Sequence, residues 1–176
     1  LGIGSMEEPG FLREAGIELP MYFDQGMYSW NHLAGAAMER YGADRLTIPV
    51  ELNEREIRDS GVQGEMIVYG YLPMMISAQC IRKTTLGCSG KSEIMWLKDR
   101  KDMRFPVVNQ CRFCYNTIYN SAPLSLLGLS EQVTGLKPNA VRLNFTVEEP
   151  AAAGEILDAF FEEYGMSEKA AEPPVL

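Results

Sequence analysis

All four cysteines of this 176-residue chain fall between Cys80 and Cys114, in the pattern C-x7-C-x22-C-x2-C. Thiolates are soft ligands that select zinc or iron–sulfur clusters, and four of them complete a tetrahedral site without a histidine. The one histidine, His32, is far from the group in sequence. Cys111-Arg112-Phe113-Cys114 is the tighter half, because two intervening residues let both sulfurs face one metal from a single turn. Cys80 and Cys88 are spaced more loosely than a zinc knuckle, which leaves an iron–sulfur cluster open beside zinc. Disulfides and ordinary buried thiols are the other readings of the same residues.

The net charge of −8 argues against binding phosphates over the whole surface. Its distribution says otherwise locally: residues 80–114 carry eight cationic side chains and three acidic ones. Lys98, Arg100 and Lys101 crowd one expected hairpin turn and are candidates for binding an anionic substrate such as RNA; a lysine-guarded sheet edge is the alternative. No apolar run approaches the roughly 20 residues of a membrane span, and no signal-peptide pattern opens the chain. A cytoplasmic protein with no membrane partner is the expectation. Leu1 is not an initiator methionine, so the chain reads as an excised segment.

Apolar alternation predicts strands over 19–24, 46–52, 65–71 and 139–148. Amphipathic spacing predicts a helix from Ser29 to Gly42 and another from Pro150 to Gly165. Asn53 with Glu56 resembles a capping box opening a short helix. Residues 93–98 and 104–108 read as a two-stranded ribbon, marginal alone in water and stabilised if a metal holds its base. Residues 123–129 and those following read as one or two short helices. The expected divisions are a connecting segment (1–18), β/α units (19–79), a four-cysteine insertion (80–122), the last β/α units (123–166) and a tail or linker (167–176).

Strands alternating with amphipathic helices indicate an α/β fold with a parallel sheet. If that sheet belongs to a (β/α)8 barrel, inward residues near the strand C-termini build the active site. Asp24, Glu51 and Arg142 are then the candidate catalytic residues, with Asn144 beside them for substrate. Glu51 and Arg142 are natural partners, either as a catalytic pair or as a structural ion pair.

An ordered series of motifs resembles the peptidase U32 family, the collagenase-like proteases. These are Glu51-Leu52-Asn53, Tyr69-Gly70-Tyr71-Leu72-Pro73, Gln79-Cys80, Cys88, Leu97-Lys98-Asp99-Arg100, Phe105-Pro106-Val107, Cys111-x-x-Cys114 and Ile118-Tyr119-Asn120-Ser121. The resemblance covers roughly residues 19–148. It implies a partial (β/α)8 TIM-barrel-like fold, the C-terminal half, with an inserted cysteine-rich β-ribbon; the missing N-terminal half of the barrel would be a partner. It also implies that Cys80, Cys88, Cys111 and Cys114 hold a 4Fe-4S cluster, as in members acting in RNA or quinone hydroxylation. Zinc is the alternative metal. A U32-type peptidase is the second functional reading, although no Gly-x-Ser-x-Gly or His-Glu-x-x-His accompanies the lone histidine. A noncatalytic, metal-stabilised binding module is the third.

Overall fold

The computed structural model of the protein describes residues 1–165, so the tail or linker expected over 167–176 lies outside the described residues. In chain order the elements are β1 (Gly2–Ile3), α1 (Glu8–Glu14), β2 (Tyr22–Phe23), α2 (His32–Tyr41), β3 (Arg45–Leu46), α3 (Glu54–Ser60), β4 (Glu65–Gly70), β5 (Pro73–Ser77), α4 (Ile81–Thr85), β6 (Ile94–Lys98), β7 (Arg104–Gln110), β8 (Tyr115–Tyr119), β9 (Leu124–Ser125), α5 (Ser130–Gly135), β10 (Ala140–Asn144) and α6 (Pro150–Glu163). They fall into two compact units, one of residues 1–68 with 128–143, the other of residues 69–127 with the chain from Asn144 on.

In the first unit β1, β2 and β3 lie parallel in that order, with α1 and α2 as the crossovers. Register sets Ile3, Phe23 and Leu46 in one row and Gly2, Tyr22 and Arg45 in the next. The two-residue period turns the first row into the core with Met27 and Val62, flanked by Leu12, Met21, Met38 and Tyr41. Within the expected connecting segment, Gly2 and Ile3 form an edge strand, too short to show alternation, and the short helix expected to follow is α1. Helix α2 is capped by Asn31, whose Oδ1 accepts from the Ala34 N–H at 3.0 Å, while Ser29 is buried and its hydroxyl donates to Thr47 O. Gly42 ends the helix at φ 114°, a conformation few other residues adopt. Gly35 packs against Val62 and Leu46, so the inward stripe is rotated and Leu33 is exposed.

The strand expected over 46–52 stops after Leu46, apart from a parallel bridge between Thr47 and Glu65. Pro49 has no N–H to donate, and the Leu52 N–H turns back to its carbonyl at 3.3 Å. Glu51 consequently sits in an exposed turn instead of on an inward strand face. The capping box at α3 is present in both directions: Asn53 Oδ1 accepts from Glu56 N–H, and Glu56 Oε2 accepts from Asn53 N–H. Strand β10 neighbours β4, and the Asn139 N–H donates to Gly64 O at 2.8 Å.

The second unit is built on an antiparallel sheet in the order β5-β8-β7-β6. The expected ribbon of β6 and β7 is present, with Ile94 opposite Val108 and Lys98 opposite Arg104, but β8 and β5 extend it to four strands. Val107 and Ile118 pair across its middle and are buried. Residues 124 and 125 form β9 against Gly70 and Tyr69 where a helix was expected, and the helix comes later as α5. Helix α6 follows its expected course from Pro150 and buries Phe160, whose ring lies 4.7 Å from that of Tyr164.

The protein is thus a mixed α/β fold whose described residues form three sheets, none closed into a barrel. No described helix is long and apolar enough to cross a membrane.

Candidate functional site

The second unit holds all four cysteines, and two hairpin features set their positions. Gln110 pairs with Tyr115, so Cys111–Cys114 is the turn joining β7 to β8. Cys114 takes φ 56°, a left-handed conformation uncommon outside glycine and asparagine, and its Sγ lies 3.8 Å from Cys111 O. Cys80 occupies the N-cap of α4, and Cys88 lies in the loop between α4 and β6.

Two asparagines that sequence reading did not single out hold those segments against the hairpin. Asn109 and Asn116 face each other across β7 and β8, and both are almost wholly buried. Asn116 Nδ2 donates to Gln79 O at 2.6 Å and Ser77 O at 3.3 Å, while its Oδ1 accepts from the Ile81 N–H at 3.3 Å. These bonds bracket Cys80. Asn109 Oδ1 accepts from the Glu93 N–H, and its Nδ2 donates to Lys91 O at 3.1 Å, fixing the chain that follows Cys88. Cys111 is tied to the same stretch, its N–H donating to Ser92 Oγ at 3.2 Å. The signal was legible: asparagine is depleted from strands, yet both residues sit among strand formers, in Val107-Val108-Asn109 and Asn116-Thr117-Ile118.

The result is one neighbourhood of four thiols. Partial burial pushes the Cys111 thiol above its ordinary range; Cys88 and then Cys114 and Cys80 push the same way. All four are free thiols. They are not drawn to bonding distance of a common centre: among the described residues no three Cys, His, Asp or Glu side chains form a group that could hold a metal as they stand. The donor chemistry, four thiols without histidine, nonetheless suits zinc or a cluster, and Cys80, Cys88, Cys111 and Cys114 are the residues that would hold it. A cavity of about 390 Å3 opens beside them, lined by Ala78, Gln79, Cys80, Lys83, Thr84 and Cys114.

Lys98, Arg100 and Lys101 are exposed at the β6–β7 turn, where Lys98 Nζ pairs with Asp102 Oδ1 at 2.8 Å. Strand β7 separates this turn from Cys111, a length of roughly 20 Å at the usual rise per residue. The structure therefore does not bring these three cations together with the thiols. Only an extended polymer could touch both.

In the first unit Arg142 bridges two carboxylates: its Nη2 lies 2.6 Å from Asp24 Oδ1 and its Nε 3.2 Å from Glu65 Oε1. Arg45 Nη1 approaches Glu65 Oε2 at 3.9 Å and stacks over the Tyr22 ring. Asp24 also caps the following 3-10 turn, accepting from the Gln25 N–H at 2.8 Å. Gly2, Ile3, Gly4 and Tyr22 complete the lining of a cavity of about 420 Å3 around this network. Asp24 and Arg142 are thus brought together, whereas the partner expected for Arg142 was Glu51, and the second carboxylate is Glu65. The parallel bridge between Thr47 and Glu65 is what delivers it, a pairing that alternation within one strand cannot reveal. Asn144 belongs to the second unit, where its carbonyl would lie 2.6 Å from a Cβ on Gly70; only glycine fits there, at φ 153°.

Near Asn144, the Tyr69 hydroxyl is pushed up to about 12, first by burial and then by the Glu148 carboxylate and Tyr71. Comparison with family models, with curated proteins and with solved structures finds no match to this chain.

Proposed function

We propose that this chain is part of a U32-family protein in which Cys80, Cys88, Cys111 and Cys114 hold an iron–sulfur cluster, and that it contributes to hydroxylating an RNA base or a similar ring. The observation that carries the proposal is that Asn116, Asn109 and Ser92 hold the chain at Cys80 and the chain after Cys88 against the β7–β8 hairpin, whose turn is Cys111–Cys114. The motif series from Glu51 to Ser121 supports the family reading. When bound, such a cluster supplies one-electron transfer. The chain's own residues then have three tasks. Asn109 and Asn116 fix the ligand-bearing segments, the β7–β8 turn presents two sulfurs from one side, and the basic β6–β7 turn attracts phosphates.

Peptide hydrolysis is less well supported, because a thiol nucleophile needs an adjacent base and the unit that holds the thiols has no histidine. Zinc in place of a cluster would leave a closed structural site.

The test uses the full-length protein in a strain lacking its gene. Mass spectrometry of the strain's RNA should show a base that loses one oxygen atom, restored by wild type and not by Cys88→Ser or Cys114→Ser. Unaltered RNA, together with cleavage of a peptide substrate that survives both substitutions, would overturn the proposal.

A further inference from the structure

We propose that the open face of the β5-β8-β7-β6 sheet binds single-stranded RNA, with Trp96, Tyr115 and Phe113 stacking on bases and Lys98, Arg104 and Arg112 meeting phosphates. The inference rests on the RNA reading of the proposed function and needs no metal.

Register assigns the two faces of this sheet, because residues opposite one another point the same way. Val107 and Ile118 share one face with Asn109 and Asn116, and all four are buried. Trp96 opposite Pro106, Lys98 opposite Arg104 and Tyr115 opposite Gln110 fall on the other face. Pro106 is buried there as part of a packed floor, but Trp96 is 56% exposed. At the β7–β8 turn Phe113, 69% exposed, lies nearly parallel to Tyr115 with ring centroids 6.4 Å apart, and the Arg112 guanidinium stacks over it at 5.4 Å. The face thus carries aromatic rings towards both of its ends.

Charge selects the partner. Lys98 and Arg104 are like charges directly opposite each other, an arrangement that costs stability until an anion shares it. Lys98 finds Asp102 at 2.8 Å, whereas Arg104 enters none of the ion pairs among the described residues. The neighbouring acids are engaged: Asp99 accepts the Lys101 and Met103 N–H groups, and Glu93 pairs with Arg82. An apolar protein surface would leave Arg104 and Arg112 unmatched, while a single strand supplies rings for the aromatics and phosphates for the cations. From Arg104 to Gln110 is roughly 20 Å of β7, so one strand lying along it runs from the basic turn to the thiol-bearing turn.

The test is fluorescence anisotropy of the full chain with a short labelled oligoadenylate and with an abasic ribose-phosphate strand of equal length. Trp96→Ala and Phe113→Ala should each weaken oligoadenylate binding by about fivefold to a hundredfold and leave abasic binding within about twofold. Arg104→Gln should weaken both and lower the log–log salt slope by about 0.7. Oligoadenylate should quench tryptophan fluorescence in wild type and in Trp30→Phe but not in Trp96→Phe, a readout that does not depend on the alanine variants folding. Equal binding of the two strands by wild type, or unchanged oligoadenylate binding by Trp96→Ala and Phe113→Ala, would overturn the inference. So would a Trp96→Ala protein with altered oligomeric state and unaltered RNA affinity, which would make this face a protein-docking surface. The expected binding beside unaltered RNA in the strain lacking the gene would sustain the RNA-binding face and overturn hydroxylation alone.

Discussion

Replacing Asn116 with alanine removes three hydrogen bonds at once, to Gln79 O, Ser77 O and the Ile81 N–H, in a position with no solvent access. A typical bond contributes about 1 kcal/mol net, and buried partners left unpaired cost more, so the loss should be about 3 kcal/mol. That is a large share of the stability of a domain this size. Asn116→Asp separates the donor role from packing, because the side chain is nearly isosteric but an ionised carboxylate would face two carbonyls. It should cost more than alanine near neutrality. Burial raises this carboxyl above its unfolded value, so the penalty is absent at pH below about 4 and grows as pH rises through the folded value. Urea unfolding at several pH values reads both effects. Because the same bonds bracket Cys80, thiol alkylation in the native state should quicken at Cys80 and zinc affinity should drop in both variants. An Asn116→Ala protein within about 0.5 kcal/mol of wild type, with unchanged Cys80 reactivity, would refute the reasoning.

The other predictions follow the same logic. Arg142→Met leaves Asp24 and Glu65 without their shared cation and should cost about 1–2 kcal/mol by thermal unfolding, discounted because the groups are partly exposed; Glu51→Ala should change stability by less than about 0.5 kcal/mol. Tyr69, raised to about 12 by burial, contributes stability that is full below about pH 10 and is lost as pH rises through about 12. Tyr69→Phe should flatten that part of the alkaline unfolding curve. Replacing Lys98, Arg100 and Lys101 together with alanine should lessen the salt dependence of single-stranded RNA binding by about 0.7 in log–log slope for each phosphate no longer neutralised, with the fold unchanged by circular dichroism.

What the sequence made legible is what local chemistry decides. The Asn53–Glu56 capping box, the α2 stop at Gly42, the run of α6 and the β6–β7 hairpin each depend on residues within one helix or turn. The parallel pairing of β2 with β3 follows from alternation of strands with helices. What escaped depends on partners distant in the chain. Strand β5 joins the ribbon only by pairing with β8, and β1 is too short to show a period. Pro49 interrupts a strand that apolar alternation alone would continue, and so removes Glu51 from the ion-pair network that Glu65 enters. The cysteine spacing pointed to one site; Asn109 and Asn116 stood out as asparagines among strand formers, but their pairing across β7 and β8 depends on the hairpin register.

The claim beneath all of this is that four thiols serve one centre, and iron and acid-labile sulfide counted per chain after anaerobic isolation test it most directly. The account predicts a brown protein with about four of each per chain and a reducible cluster signal in electron paramagnetic resonance, with occupancy falling when any of Cys80, Cys88, Cys111 or Cys114 becomes serine. A colourless protein that takes up neither iron nor sulfide on reconstitution, and whose four thiols react independently, would contradict it.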